Sequence, residues 1–271
     1  MGVVARCEGA HDTVVSYDET GVTWGYLQWT FKSGRLQKLL ESFKSIPSYD
    51  FTNEGKHRTL FDLVCCEMSV IGLIQKFERF GFRITGGKFV DLRTGRALNM
   101  NNRTQRKRCV DICMGRVQYP GNLKKQRQHA MALANLFAMM GQDFAVAEAQ
   151  IQFAKQEFKR QMGYKRPPLG GMTIAELLYA DKPEAWETPL IALALNLWQN
   201  SPAAAYRLFL RARRMDGSSD PETYFQQAWK LANRSKFGNW GWGKPQNKSP
   251  RVVRIKKAIK EFYGINMKYF K

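Results

Sequence analysis

Apolar residues near the start of this chain recur with period two. After a short helical start over Val3–Gly9, His11–Tyr17 alternates and carries the β-branched run Thr13, Val14 and Val15. Asp18-Glu19-Thr20-Gly21 is turn chemistry, and Val22–Trp29 alternates again, so a hairpin or three-stranded sheet is expected here. Beyond it the period changes to that of a helix. Arg35–Leu40 places Leu36, Leu39 and Leu40 on one stripe, and Thr59–Phe80 predicts a long amphipathic helix. Thr85–Asn102, rich in Gly, Arg and Asn, reads as loops with a short strand over Lys88–Leu92.

The rest of the chain is helical in pattern. Arg103–Gly115 predicts a basic helix, and Leu123–Arg160 one helix or two, broken near Gly141. Pro167–Gly171 is a break, and Thr173 with Glu176 has the spacing of a capping box over Thr173–Ala180. Glu187–Asn200 and Pro202–Met215 read as a helix pair joined at Ser201-Pro202, with Pro221–Ala232 following. From Asn233 the character shifts to Gly and Trp and then to a Lys/Arg-rich stretch. The expected organisation is a mainly α domain with a small β element over residues 1–232, and a basic aromatic tail over 233–271.

Composition narrows the partner class. The 271 residues carry a net charge of +20, which concentrates anionic polymers such as nucleic acid, lipopolysaccharide, teichoic acid and peptidoglycan at the surface. The basic runs are Arg103–Arg108, Lys124–Arg127, Arg211–Arg214 and Arg251–Lys260. The last interleaves Val252, Val253, Ile255 and Ile259, the pattern of a helix that lies on an anionic membrane or packs back on the body. Five cysteines, two of them adjacent at Cys65-Cys66, do not form the even framework of a disulfide-stapled secreted domain. Cys109 and Cys113 share a helix face with no second ligand pair nearby, so buried thiols in a reducing compartment are expected rather than zinc. The N-terminal stretch has no long apolar run after a basic start, and synthesis in the cytoplasm without a signal peptide is expected. His11, His57 and His129 do not cluster in sequence, and no phosphate-binding glycine string follows a strand. No metal, cofactor or nucleotide is expected.

The stretch Glu8–Leu40 carries the candidate chemistry. A carboxyl group closes the first helix, a second carboxylate follows in a turn, and a threonine lies on the next strand. Glycosidic cleavage needs one acid to protonate the leaving oxygen and a second group to manage charge or water at the anomeric carbon. Glu8, against Val4, Cys7 and Trp24, is expected to stay protonated as general acid, with Asp18 ionised in its polar turn and Thr23 holding a water. Asp12 and Glu19 stand in if Asp18 serves only the turn. Trp24 and Trp29 either stack on sugar faces or fill the core. Tyr26 and Gln28 contact sugar or pack beneath the cleft, and Arg35 meets anionic groups or is solvated.

Glu8-Gly9, Tyr17-Asp18, Gly21, Thr23 and Gly25 resemble the catalytic Glu-Asp-Thr pattern of phage-type lysozymes, with a slightly longer Glu–Asp gap and a slightly shorter Asp–Thr gap. Gly25-Tyr26-Leu27-Gln28 is similar to the Gly-x-x-Gln element of goose-type lysozymes and lytic transglycosylases. Gly-Val-Thr-Trp-Gly with Trp29–Leu36 is similar to chitosanases. The resemblance covers residues 6–40, with a weaker echo at Ala192–Tyr206. It implies a lysozyme-like α+β fold with two lobes around a cleft, and an inverting, peptidoglycan-cleaving glycosidase of the endolysin or virion-carried kind. Virion proteins are then further partners. A lytic transglycosylase would need Glu8 but not Asp18. A chitosanase, which acts on a cationic polymer, fits the charge badly. A basic phage structural or nucleic-acid-binding protein with this fold is the non-enzymatic alternative.

Overall fold

The computed structural model describes residues 10, 12–15, 21–43, 47–49, 57–59, 73–141, 144–163, 171–179, 188–234 and 250–265. Among them the chain is mainly helical with small antiparallel sheets. Its described residues divide into an N-terminal unit that ends at Phe153 and a C-terminal unit that begins at Ala154, so the division falls inside a helix.

In the N-terminal unit, β1 (Val14–Val15), β2 (Thr23–Trp24) and β3 (Trp29–Thr30) form an antiparallel meander, followed by α1 (Arg35–Ser42). Strands β4 (Pro47–Tyr49) and β5 (His57–Thr59) pair as a two-stranded ribbon. Thr59, expected to open a long helix, therefore closes a strand opposite Pro47, and the helix is described only as α2, Leu73–Glu78. A second meander follows: β6 (Phe82–Thr85), β7 (Lys88–Asp91) and β8 (Arg96–Ala97). Sequence reading left β6 out, although its signal is present. Gly86 and Gly87 both take positive φ, 56° and 65°, in the two-residue turn that matches strand twist. They pair Phe82-Arg83-Ile84-Thr85 with Lys88-Phe89-Val90-Asp91 in register.

Alternation then builds the core. Phe82, Ile84 and Phe89 point inward, and Phe82 stacks on Phe89 with ring centroids 4.4 Å apart. Phe31 meets Phe82, Phe89 and Phe137 edge-on, while Phe77 stacks on Phe82 and Phe137. Trp24 packs on Phe43 and Phe137. All seven rings are essentially inaccessible to solvent, which accounts for part of the high aromatic content. Gln37 of α1 donates to the Phe31 carbonyl at 2.9 Å and ties the helix to the end of β3.

The basic helix α3 (Arg103–Cys113) starts at Asn102, whose side chain accepts from the Gln105 N–H. The break near Gly141 is present, separating α4 (Leu123–Gly141) from α5 (Phe144–Met162). His129 on α4 is buried. Its Nε2 donates to the Ile112 carbonyl at 3.0 Å, and its ring meets Phe80 and Tyr119 edge-on. Burial holds this imidazole below its ordinary value near 6.5. As pH falls through that value the unfolded chain takes up a proton that the folded chain resists, so stability present above the unfolded pKa is lost below it. A melting-temperature series from pH 7 to pH 5 is expected to fall, and to fall less steeply in His129→Asn.

The C-terminal unit is helical: α6 (Ile174–Leu177), α7 (Pro189–Asn200), α8 (Pro202–Arg213), α9 (Pro221–Arg234) and α10 (Pro250–Tyr263). The capping box forms as its spacing requires, with Thr173 Oγ1 accepting from Glu176 N and Glu176 Oε2 from Thr173 N. Pro189 and Pro202 each occupy a helix start. Buried tyrosines pin the short α6 segment. Tyr206 donates to the Met172 carbonyl and Tyr224 to that of Leu177. Helix α10 contacts α7 and buries Ile255, Ala258 and Ile259, so Ile255 and Ile259 of the tail's apolar stripe pack inside this unit, while Val253 is exposed. Among the described residues no single helix is long and apolar enough to cross a membrane.

Candidate functional site

Glu8, Asp18 and Glu19 lie outside the described residues. Thr23, the third member of the expected catalytic set, lies on β2, the central strand of the first meander, directly opposite Val15 on one side and Thr30 on the other. It is largely buried, at 7% exposure. In chain order Asp18 falls between the paired residues Val15 and Thr23.

The turn from β2 to β3 spans residues 25–28. Gly25 has φ +80°, and Gln28 is one of two non-glycine residues with positive φ among those described. The Gln28 N–H and its side-chain amide both donate to the Gly25 carbonyl, at 3.0 and 2.9 Å. The amide nitrogen of the Gly-x-x-Gln glutamine thus stabilises its own turn. Tyr26 is half-buried, and its N–H donates to Gln150 Oε1 at 3.2 Å. Gln150 is completely buried on α5 and is a site-supporting residue that sequence reading missed. It lies 124 positions away, and no local pattern marks it.

Gly25 is needed on both counts. A Cβ there would lie 2.2 Å from Gln150 Oε1, and the backbone is in the left-handed region. Gly25→Ala is therefore expected to cost about 2–4 kcal/mol, from backbone strain together with a displaced buried acceptor. Urea unfolding checks this, and a Gly25→Ala/Gln150→Ala cycle is expected to show non-additive coupling.

Trp24 and Trp29 are direct cross-strand partners with 0% exposure. Trp24 sits among Phe43 and Phe137, and Trp29 against Phe153. Neither ring has a face open to a ligand, so the expected sugar-stacking role of Trp24 gives way to core packing. A strand residue opposite another tryptophan, on the face that meets the aromatic cluster, is enclosed from both sides. Arg35 is half-exposed at the first position of α1, after Gly34 in the left-handed conformation, and its N–H donates to Ser33 Oγ.

Asp12, the substitute carboxylate, is half-buried in a turn held by Ala10 and Thr13. Gly25 N–H donates to the Thr13 carbonyl at 3.0 Å, bringing this turn against the β2–β3 turn. On its other side Gly21, with φ +84°, lies on α3. A Cβ there would stand 3.4 Å from Cys113 Cβ and 3.6 Å from Val110 Cα. Helix α3 therefore backs the segment that leads into Thr23.

Cys109 and Cys113 are free and buried. Burial pushes the Cys109 thiol well above its ordinary value, reinforced by its hydrogen bond with Cys113, so Cys109 is held as a protonated thiol packed in the core. Among the described residues no group of three or more His, Cys, Asp or Glu is placed to hold a metal ion. Searches against protein-family models, curated proteins and solved structures find no match to this chain.

Proposed function

We propose that this protein is a lysozyme-like glycoside hydrolase that cleaves the glycan strands of bacterial peptidoglycan. Glu8 is the general acid, and Asp18 and Thr23 position the water and stabilise the oxocarbenium-like state. The observation that carries the reading is the β1–β2–β3 meander. Its register pairs Val15 with Thr23, so Thr23 lies on the central strand, and in chain order Glu8 precedes β1 and Asp18 falls between β1 and β2, the order of the lysozyme Glu-Asp-Thr pattern it resembles. The tight Gly25–Gln28 turn, locked by Gln150, is the kind of rigid support such a strand needs. The reading includes a two-lobed lysozyme-like fold and an endolysin or virion-carried setting at the cell wall, with an inverting course.

The test is digestion of purified peptidoglycan with mass analysis of the fragments. Reducing-end muropeptides are the expected product. Anhydro-sugar ends would replace the hydrolase by a lytic transglycosylase, which needs no Asp18. Absence of cleavage by the folded protein would overturn the enzymatic reading in favour of a basic binding or structural protein.

A further inference from the structure

Half of the net charge of this protein is concentrated in one stretch of the N-terminal unit. Residues 82–127 hold twelve arginines and lysines against two aspartates, a net +10 out of the +20 of the whole chain. Both aspartates are consumed in bracing the cations. Asp91 is 1% exposed; one of its oxygens accepts from Arg108 Nε at 2.8 Å, and the other from the Arg93 N–H at 3.0 Å. This single buried carboxylate joins the turn between β7 and β8 to helix α3. Asp111 pairs with Arg116 at 3.0 Å and with Lys107 at 3.9 Å. Arg93, Arg96 and Arg103 have no carboxylate partner among the described residues, and all three side chains are exposed.

Local electrostatics make this arrangement unfavourable in isolation. The first turn of α3 has no acidic residue and begins with Arg103, at the positive end of the helix dipole. Its cap is the neutral Asn102 rather than an aspartate. The first turn of α4 is likewise without acid and carries Lys124 and Lys125. Cations crowded at helix starts are stabilised when an anion binds among them. The exposed aromatic side chain in this stretch, Tyr119, already meets His129 and lies under Lys125, so the face offers no platform for stacking unpaired bases.

The same helix links this face to the candidate site. The Val110 and Cys113 side of α3 packs against Gly21, two residues before Thr23, while Arg103 and Lys107 lie on its solvent side. We infer that the β7–β8 turn and the first turns of α3, through Arg93, Arg96, Arg103 and Lys107, form a docking surface for peptidoglycan that grips the carboxylates of its peptide stems. The inference rests on the proposed substrate but not on cleavage. Arginine forks match carboxylates with two parallel hydrogen bonds, and several such contacts on a repeating polymer add by avidity.

The experiment measures sedimentation of the full-length chain, in a Glu8→Gln background, with peptidoglycan stripped of phosphate-bearing polymers. The variant Arg93→Gln/Arg96→Gln/Arg103→Gln is compared with Arg207→Gln/Arg211→Gln/Arg214→Gln, which removes the same charge from exposed positions of the C-terminal unit; melting curves confirm that both fold. The first triplet is expected to weaken binding at low salt by at least about tenfold and the second by less than about threefold. Amidating the stem carboxylates is expected to remove the difference, and salt to reduce it. Equal losses from the two triplets, or undiminished binding to amidated peptidoglycan, would overturn the docking surface. So would a first triplet that loses duplex DNA but keeps peptidoglycan. Because no cleavage is read, these results stand apart from the muropeptide assay: a docking protein that does not cut and a cutting protein that docks elsewhere give different pairs of results.

Discussion

Glu8→Gln is expected to lower the rate of peptidoglycan cleavage by about 10²–10⁴-fold, the range a positioned general acid contributes. That corresponds to about 3–5 kcal/mol of transition-state stabilisation. The amide keeps the shape of the carboxyl group but cannot deliver a proton to the departing oxygen, so the chemical step fails while substrate still binds. The melting temperature and the sedimentation with peptidoglycan are therefore expected to stay near wild type. Release of muropeptides, measured on variants of matched melting temperature, reads the effect. A Glu8→Gln protein that cuts as fast as wild type would remove Glu8 from the mechanism. Asp12→Asn and Asp18→Asn in the same assay then show which carboxylate is the second group, since both lie close in chain order to the β1–β2–β3 meander.

Phe137→Ala is expected to destabilise the N-terminal unit by about 3–5 kcal/mol. The ring is completely buried and touches Trp24, Phe31 and Phe77, at centroid distances of 5.1, 5.9 and 5.4 Å. These partners come from β2, the end of β3 and α2, so one residue of α4 holds three separate parts of the unit together. A domain is typically stable by only about 5–15 kcal/mol, so this loss is a large share of the whole. Denaturant unfolding followed by tryptophan fluorescence reads it, because Trp24 reports on the same cavity. Phe262→Ala, at a ring 51% exposed on α10, is expected to change stability by no more than about 0.5 kcal/mol. If Phe137→Ala and Phe262→Ala were equally mild, the aromatic cluster would not be the core of this unit.

Local pattern carried much of the fold. The period-two run at Val14–Val15, the capping box at Thr173, the prolines at 189 and 202 and the break near Gly141 all depend on contacts within a few residues. Their outcome could therefore be read directly from the chain. The β6–β7 hairpin was equally legible, since two glycines between alternating strands demand positive φ, yet glycine and arginine content made it look like a loop. The sequence was misleading at Thr59, where the helical periodicity was taken to begin although Thr59 closes a strand paired with Pro47, twelve positions earlier in the chain.

By itself, then, the sequence determined the mainly helical class, the small sheet at the start, the helix caps and the basic character, because each follows from residue type and short spacing; the set Glu8, Asp18 and Thr23 it offers as a proposal, from spacing and resemblance. Only the tertiary structure decided what distant partners impose. It buried Trp24 and Trp29 in the core, gave Tyr26 its acceptor on Gln150, buried Ile255 and Ile259 of α10, which contacts α7, and made Asp91 and Asp111 the struts of a basic face. Burial and ion pairing depend on which surfaces meet after folding, and one-dimensional spacing holds no record of that meeting.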